Sequence, residues 1–268
     1  MKRRIFLSLA AVPAAAAWFR FVEPTWFDVS FTGVSLPGIR PRRILHISDI
    51  HMSDGMTAED LEKGFKAGLS QRPDLICFTG DYVTTTKAFD QAGLVRLLQM
   101  AADTAPCYAV LGNHDGGRWL ARRGGSPSTD ILRELIDAGG VKMLHNRAVR
   151  FGDLAIVGLG DYWSAEFRPE RAFANVEPAR ATIVLAHNPD TKDAIAERRW
   201  DLMLSGHTHG GQVRVPGIDP RWTPVDDKRF VAGLYGWNGR QLFITRGIGS
   251  PKHVRAFCRP EVSILDIG

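Results

Sequence analysis

Short apolar runs rich in β-branched residues recur along the chain and are typical of buried β-strands. The first candidate strand, residues 26–34, alternates apolar and polar side chains, as a half-buried strand does. The later runs cover residues 44–47, 75–78, 108–111, 154–159, 183–186, 202–204, 242–244 and 262–267. Between them, the spacing of apolar positions predicts helices at residues 57–69, 88–102, 129–138 and 191–198. Strands that alternate with helices predict an α/β fold with a largely central sheet.

The helix ends and loops carry their own signals. Ser128 is expected to cap the helix at 129–138 and Gly139 to end it, and Asp190 is expected to cap the helix at 191–198. Residues 124–128 and 216–224 are the clearest predicted loops. Since no repeat or linker divides the chain, we expect residues 26–268 to form one functional domain.

The N-terminus has the pattern of a targeting segment. Lys2, Arg3 and Arg4 precede an apolar, alanine-rich run that extends to Ala17, as in an export signal. The arginine pair also resembles the twin-arginine signal. We therefore predict that residues 1–25 are an export signal or an uncleaved membrane anchor, with a buried N-terminal helix as the remaining alternative. An export signal or anchor places the domain in the periplasm or on another extracytoplasmic membrane face.

Composition narrows the class of protein only a little. The chain has 268 residues, of which 44% are hydrophobic, and this suits a single globular domain. The net charge is +5, and subtracting the three basic residues at positions 2–4 leaves +2, so a nucleic-acid partner is not expected. Cys77, Cys107 and Cys258 have no spacing that suggests a disulfide framework or a thiolate zinc site.

Five predicted strands are each followed by a residue that can ligate a metal or transfer a proton. Ligands of open α/β sheets gather at the carboxyl ends of the strands, so these side chains are expected to converge. The candidate ligands are Asp49, His51, Asp81, Asn113, His187, His207 and His209. They offer nitrogen and oxygen donors without sulfur, which suits Mn²⁺, Fe or Zn²⁺.

His207 and His209 are separated by one residue, and in an extended backbone their side chains would point in opposite directions. Two adjacent metal ions, roughly 3.5–4 Å apart, would explain this arrangement, with one imidazole on each ion. If each ion takes four protein ligands, the seven candidates suffice when one carboxylate bridges. Asp81 is the best candidate for the bridge, because a carboxylate accepts at both oxygens.

The candidate ligands fall into five short sequence blocks: Asp49-x-His51, Gly80-Asp81, Gly112-Asn113-His114-Asp115, His187 and Gly206-His207-x-His209. In this order, the blocks resemble the signature of the calcineurin-like metallophosphoesterases. The resemblance implies an α/β fold, a four-layer α-β-β-α sandwich with two sheets face to face. It also implies two metal sites and a catalytic histidine, His114. One metal would be held by Asp49, His51, Asp81 and His209, and the other by Asp81, Asn113, His187 and His207.

The hypothesis that follows is hydrolysis of a phosphoester, most simply a phosphodiester, by a metal-bound hydroxide that attacks phosphorus. Phosphoprotein phosphatases of this superfamily carry a second aspartate where this chain has Thr84, so protein phosphatase activity is not expected. The N-terminal signal, the size and the segment 245–261 resemble membrane-associated bacterial phosphodiesterases, a group that includes UDP-2,3-diacylglucosamine pyrophosphatases. The expected substrate is therefore a lipid-linked or nucleotide phosphoester, with membrane association through the N-terminus.

Other functions use similar residues. A nuclease would need a basic, aromatic-lined groove, which the charge balance does not favour. A metallo-β-lactamase-like hydrolase would normally show H-x-H-x-D-H, but Gly210 and Gly211 follow His209 here. A non-catalytic metal-binding module on the same fold would be expected to lack ligands, and none of the seven is missing.

Several other residues remain open at this point. His46 is expected to be a packed core residue. Solvated surface charge is favoured for four cations over binding of a phosphate or a lipid head group: Arg214, Arg246, Lys252 and Arg255. Four tryptophans fall in loop-like stretches and form either a rim for lipid or bases, or ordinary packing: Trp119, Trp163, Trp222 and Trp237.

Overall fold

Twelve strands form two six-stranded sheets in the part of the chain that the structure describes, residues 13–215, 217–218 and 223–268 of a computed structural model. In chain order they are β1 (Asp28–Val34), β2 (Arg42–Ile47), β3 (Leu75–Thr79), β4 (Cys107–Val110), β5 (Lys142–Met143), β6 (Arg147–Phe151), β7 (Leu154–Gly158), β8 (Ala181–Leu185), β9 (Leu202–Ser205), β10 (Gly233–Trp237), β11 (Arg240–Ile244) and β12 (Glu261–Ile267). The first sheet has the order β1-β12-β2-β3-β4-β5, and the second has the order β10-β11-β9-β8-β7-β6.

The helices cover the outer faces of the sheets. They are α1 (Ala58–Leu69), α2 (Gln91–Ala102), α3 (Gly117–Ala121), α4 (Asp130–Ala138), α5 (Pro169–Phe173) and α6 (Thr191–Ala194). Short 3-10 turns occur at Glu23–Thr25, Asn113–Asp115 and His209–Gly211, and Trp18–Val22 forms one turn of π-helix. Helices α1, α2 and α4 pack on the first sheet, whereas Ala172 of α5 and Ile195, which directly follows α6, belong to a cluster on the second.

A third hydrophobic cluster lies between the sheets. Ile44 and Leu75 of the first sheet pack there with Ile156, Ile183 and Leu204 of the second. Because both faces of the central strands are covered, β3, β7 and β8 are buried at every position, which explains their continuous apolar runs. The layers are therefore helix, sheet, sheet and helix, and the predicted four-layer sandwich is confirmed.

Some predicted boundaries change. The helix predicted at 129–138 begins at Asp130 with Thr129 in the N-cap position, although the Ser128 hydroxyl still accepts from the Asp130 backbone N–H. Gly139 ends this helix as expected. Asp190 occupies the N-cap position of α6 but does not cap it, because its carboxylate accepts from the backbone N–H groups of Asp226 and Asp227.

Only part of the predicted N-terminal signal or anchor, residues 13–25, lies within the described residues. Lys2, Arg3 and Arg4 lie outside the described residues, so the export signal stays a prediction. Of the helices in the described ranges, none is both long enough and apolar enough to span a bilayer. Cys77, Cys107 and Cys258 are buried and free, in agreement with the expectation of no disulfide.

The strand directions bring the candidate residues to one end of the sandwich. Strands β2, β3 and β4 run parallel in the first sheet, and β8 and β9 run parallel in the second. The sheets are joined at their carboxyl ends by His187, whose Nδ1 lies 2.7 Å from Thr79 O, and by the His207 backbone N–H, which donates to Asp49. The predicted convergence at the strand ends is therefore observed.

Candidate metal centre

Six of the candidate ligands form two buried clusters. In the first, His209 Nε2 lies 3.1 Å from His51 Nε2 and 3.4 Å from Asp49 Oδ1. In the second, His187 Nε2 lies 3.1 Å from both His207 Nδ1 and Asp81 Oδ2. Each cluster has three nitrogen or oxygen donors close enough to hold one ion.

Asp81 lies between the clusters. Its Oδ2 atom is 3.1 Å from His187 Nε2 and 3.4 Å from His51 Nε2, so the carboxylate contacts both groups. Its Oδ1 atom accepts a 2.8 Å hydrogen bond from the backbone N–H of His114. This is the position that a bridging carboxylate requires.

Asn113 completes the set. Its side chain is buried and lines the same cavity as Asp81, yet Oδ1 has no hydrogen-bond partner among the described residues. A buried carbonyl oxygen without a partner is destabilising, and coordination of a cation removes that penalty. The donor set of imidazole, carboxylate and amide oxygen therefore fits divalent metal ions.

Backbone carbonyls select the histidine tautomers. His187 donates from Nδ1 to Thr79 O at 2.7 Å, and His207 donates from Nε2 to Pro224 O at 2.9 Å. In the neutral form of each ring the other nitrogen carries the lone pair, and that nitrogen lies in the second cluster. Such hydrogen bonds hold a ligating imidazole in one orientation.

Burial and charge set the protonation of the clusters. Burial lowers the pKa of His207 to about 3 and holds the pKa values of His51 and His209 well below the ordinary value, so these rings are neutral. Burial also opposes charge on His187, but attraction to Asp81 outweighs burial and raises its pKa to about 10. Burial likewise opposes ionisation of Asp81, yet attraction to His187 keeps the pKa of Asp81 well below its usual range.

Five candidate ligands have left-handed backbone conformations. The φ angles are +54° at Asp49, +49° at His51, +56° at Asp81, +70° at His207 and +52° at His209. Such angles are uncommon outside glycine, and strained residues concentrate at functional sites. His207 and His209 do lie in different clusters, as predicted, but the extended backbone assumed for that prediction is wrong.

Neighbouring glycines allow the close approach of these loops. A Cβ on Gly206 would overlap the side chains of Ser48 and Asp49, and a Cβ on Gly80 would overlap the backbone of Gly112. Gly80 also has φ +94°, whereas Gly206 has no positive φ. Gly206, which directly precedes His207, is therefore required for packing against Asp49 rather than for a turn.

His114 lies beside the clusters and lines the cavity. Its Nδ1 atom donates to the backbone carbonyl of Thr84 at 2.9 Å, and its ring centroid lies 4.9 Å from that of His51. The group that orients the His114 ring is therefore the main chain of Thr84 rather than a side chain. No described residue is hydrogen-bonded to the second nitrogen of this ring, Nε2.

The cavity beside the clusters has a volume of about 470 Å³. Trp119 and Trp163 line it and stack with their ring centroids 6.2 Å apart, and Trp163 contacts the ring of His207 at 4.4 Å. Lys252 and Pro251 also line the cavity. The site thus combines a polar floor with an aromatic wall and a cation.

Two buried carboxylates were not among the predicted site residues. Asp115 accepts from the backbone N–H groups of Asp81, Tyr82 and Gly112, and so fixes the two loops that carry Asp81 and Asn113. Asp161 accepts from the N–H groups of Trp163 and Ser164. The position of Asp115 in the Gly112-Asn113-His114-Asp115 block was a signal for its role, whereas no local pattern marks Asp161.

The expectation of solvated surface charge is wrong for two of the four cations. Arg255 is fully buried and donates to the backbone carbonyls of His209, Arg246 and Gly249. Arg246 is partly buried and pairs with Asp28 and Glu261. Arg214 and Lys252 are exposed, as expected.

The predictions for His46 and the loop tryptophans are confirmed in part. His46 is buried in β2, as expected, and its Nε2 lies 2.8 Å from Thr79 Oγ1. Trp119 lies in α3 and Trp237 ends β10, so neither is in a loop. Trp237 stacks on Trp200, away from the clusters. Trp222 is outside the described residues.

Comparison with known proteins gives matches over most or all of the chain. A family model described as calcineurin-like phosphoesterase matches residues 42–211. Phosphodiesterase YaeI of Escherichia coli (strain K12) is 34% identical over 99% of this chain and 98% of its own. The UDP-2,3-diacylglucosamine pyrophosphatase LpxG of Chlamydia muridarum is 27% identical over 97% of this chain and 96% of its own. YkuE of Bacillus subtilis, described as an uncharacterized metallophosphoesterase, is 27% identical over 100% of this chain and 98% of its own.

Proposed function

Because this chain belongs to the calcineurin-like phosphoesterase family, we propose that it is a phosphodiesterase that works with two divalent metal ions. Membership of the family makes it a hydrolase of phosphoesters and a metal-dependent enzyme. What we propose beyond family membership is the preference for diesters, the number and identity of the ions, and the role of each residue.

One observation carries the proposal: the Asp81 carboxylate contacts both buried clusters. Asp49, His51 and His209 would hold one ion, and His187, His207 and Asn113 would hold the other, with Asp81 shared between them. Asn113 Oδ1 has no hydrogen-bond partner within the described part of the chain, and this supports its place in the set. Mn²⁺, Fe or Zn²⁺ suits these donors.

When bound, two such ions supply a nucleophile at neutral pH and neutralise charge on the phosphoryl oxygens. The protein itself orients the reactants and moves the proton. His114, held at Nδ1 by Thr84 O, would donate a proton from Nε2 to the leaving oxygen. Thr79 and Pro224 fix His187 and His207 so that their ligating nitrogens need no reorganisation.

The cavity favours a diester over a monoester. A diester carries a second ester group, and Trp119 and Trp163 provide an apolar wall against which that group can pack. Among the described residues that line the cavity, Lys252 is the only lysine or arginine, and this suits the single negative charge of a diester. The relative YaeI, named a phosphodiesterase, supports the same preference.

A second candidate is cleavage of a pyrophosphate bond in a lipid precursor, the reaction for which the relative LpxG is named. The relative LpxG is 27% identical over 97% of this chain, and that likeness is what supports this alternative. Export of the domain across a membrane and the twin-arginine route also remain proposals, supported by the sequence of residues 1–17.

The proposal is tested with the full chain, stripped of metal and reloaded with Mn²⁺ or Zn²⁺. Bis-p-nitrophenyl phosphate, p-nitrophenyl phosphate and UDP-2,3-diacylglucosamine are the three substrates. Metal-dependent diester cleavage that is lost in Asp81→Ala, but retained in the exposed control Asp137→Ala, is the expected result. A strong monoester preference would overturn the diester assignment, and cleavage of the lipid substrate alone would favour the second candidate. A folded protein that binds metal and cleaves none of the three would point to a non-catalytic module.

A further inference from the structure

His207 is oriented by a segment outside its own loop. Its Nε2 atom donates to the carbonyl of Pro224, 2.9 Å away, and its Nδ1 atom lies in the second cluster. Pro224 lines the cavity and belongs to residues 223–231, which we call the Pro224 loop. Because a backbone carbonyl holds an imidazole only when its own segment is held, the orientation of His207 depends on what fixes the Pro224 loop.

Asp190 fixes the Pro224 loop close to the carbonyl. Its Oδ2 atom accepts a 2.7 Å hydrogen bond from the backbone N–H of Asp226, and its Oδ1 atom accepts from that of Asp227 at 3.3 Å. Asp190 is buried, and hydrogen bonds to an ionised carboxylate are stronger than those between neutral groups. Two adjacent N–H groups bound to the two oxygens of one carboxylate fix both the position and the direction of the loop.

Asp190 makes these contacts instead of capping its own helix. It occupies the N-cap position of α6, where an aspartate ordinarily accepts from N–H groups of the first turn. Here its side chain makes no capping hydrogen bond, and its backbone angles are helical rather than the extended ones of a capping residue. The carboxylate therefore serves the Pro224 loop and not α6.

A fully buried lysine holds the same loop. Lys192 Nζ lies 4.0 Å from Asp190 Oδ1 and 3.7 Å from Asp227 Oδ2. It also lies 4.7 Å from the centre of the Phe230 ring and donates to Asp193 Oδ2 at 2.8 Å. A buried ammonium is costly unless it is paired. Lys192 thus draws Asp190 and the Pro224 loop toward one point.

The segment that carries Asp190 also carries a candidate ligand of the second cluster. His187 lies three residues before Asp190, and the Asn188 side chain closes the turn between them by accepting from the Asp190 backbone N–H at 2.9 Å. One short segment therefore places His187 directly and His207 through the Pro224 loop.

We propose that Asp190 is a positioning residue for the second cluster. It holds the Pro224 carbonyl against His207 and so keeps Nδ1 of His207 directed into the cluster, while acting only through the loop. The effect on metal affinity rests on the proposed function, because it requires that the second cluster bind an ion. The effect on the His207 ring does not. Removal of the carboxylate should loosen His207 and weaken metal binding at the second cluster, and it should leave the first cluster unchanged.

The first test uses the metal-free full chain with isotope-labelled histidine. Nuclear magnetic resonance measures how fast the His207 Nε2 proton exchanges with water, and the signal is assigned by its loss in His207→Gln. In Asp190→Ala this proton should exchange at least about tenfold faster than in wild type, because its acceptor is no longer held.

Asp201→Ala is the matched control. The Asp201 carboxylate also accepts from a backbone N–H, that of Thr182 at 2.7 Å. Thr182 is near the start of β8 and Asp201 directly precedes β9, so this contact lies at the ends of the two strands opposite to His187 and His207. The control should leave exchange of the His207 proton within about twofold of wild type.

The second test is calorimetric titration of the metal-free chains with Mn²⁺. Asp190→Ala should bind at one of the two sites roughly tenfold more weakly than wild type and at the other site equally well. The same loss should appear in a His209→Ala background, where the first cluster lacks a ligand, and not in a His207→Ala background. Asp190→Asn keeps one acceptor oxygen and should recover part of the affinity, and it replaces Asp190→Ala if that variant fails to fold.

Unchanged exchange of the His207 Nε2 proton in the folded Asp190 variants would overturn the proposal. So would equal weakening of both metal sites, since a general loss of stability would produce it. If wild type binds no Mn²⁺, the proposed function fails, whereas exchange of the His207 proton still decides the role of Asp190.

Discussion

His114 donates its Nδ1 hydrogen to the backbone carbonyl of Thr84, 2.9 Å away. The orienting group is therefore main chain, and it does not depend on the identity of the side chain at position 84. The Thr84 hydroxyl instead donates to the carbonyl of His51 at 3.2 Å.

This contact separates the roles of the two residues. His114→Ala should lower kcat by roughly 10²–10⁴ with a nearly unchanged metal content, because we propose that the residue transfers a proton and it belongs to neither metal cluster. Thr84→Ala should keep kcat within about threefold of wild type, since the carbonyl remains. Steady-state kinetics and elemental analysis of both variants make the comparison. Loss of both metals in His114→Ala would show that it is a ligand.

His207 and His209 should lose different ions. Because the two side chains lie in different clusters, His207→Ala and His209→Ala should each retain about one ion per chain, whereas Asp81→Ala should lose most of both. Mass spectrometry of the metals in the folded variants provides the count. If either histidine variant lost both ions, the two clusters would act as one site.

Metal binding should release a proton from His187. Its pKa is raised to about 10, so the ring is protonated at neutral pH, while ligation requires the neutral form. The affinity of the second cluster should therefore increase by up to about tenfold per pH unit as the pH rises from 6 toward 9. Calorimetry in buffers of different ionisation enthalpy measures the release. An affinity independent of pH across this range would contradict a protonated His187.

The sequence predicted which side chains come together at the site, but not the backbone conformation that brings them there. Apolar strands followed by Asp49, Asp81 and His187 were enough to predict that these side chains converge, because parallel strands bring their carboxyl ends together whatever the details of the loops. The left-handed conformations at His207 and His209 were not predictable, because residues other than glycine seldom adopt them and no local sequence pattern marks them. The two histidines nevertheless lie in different clusters, and their assignment to different ions stays a prediction.

Elements without strong periodicity were missed for a different reason. Strand β6 carries exposed arginines and β10 contains two glycines, so neither shows a buried apolar run. Arg255 was expected at the surface because its sequence neighbours give no sign of the carbonyls that surround it. Those carbonyls come from residues 209, 246 and 249, which only the folded chain brings together.

Arg255 should support both stability and the first cluster. Its guanidinium joins His209 O to the 246–249 loop, and a lysine cannot make the same forked contacts. Arg255→Lys should lower the free energy of unfolding by about 3 kcal/mol and weaken metal binding at the cluster of His209 by about tenfold. Arg214→Lys, at an exposed arginine, is the control and should change stability by less than about 0.5 kcal/mol. Urea unfolding and metal titration of both variants measure these changes. If Arg255→Lys had the same free energy of unfolding as wild type, Arg255 would have no structural role.

The central claim is that two ions held around Asp81 make this chain a phosphodiesterase. It is tested most directly by titrating the metal-free full chain with Mn²⁺ while ions bound per chain and hydrolysis of bis-p-nitrophenyl phosphate are measured together. The account predicts that turnover rises until about two ions are bound and falls at least about 10³-fold on chelation. A folded chain that binds no ion, or a turnover that chelation leaves unchanged, would contradict it.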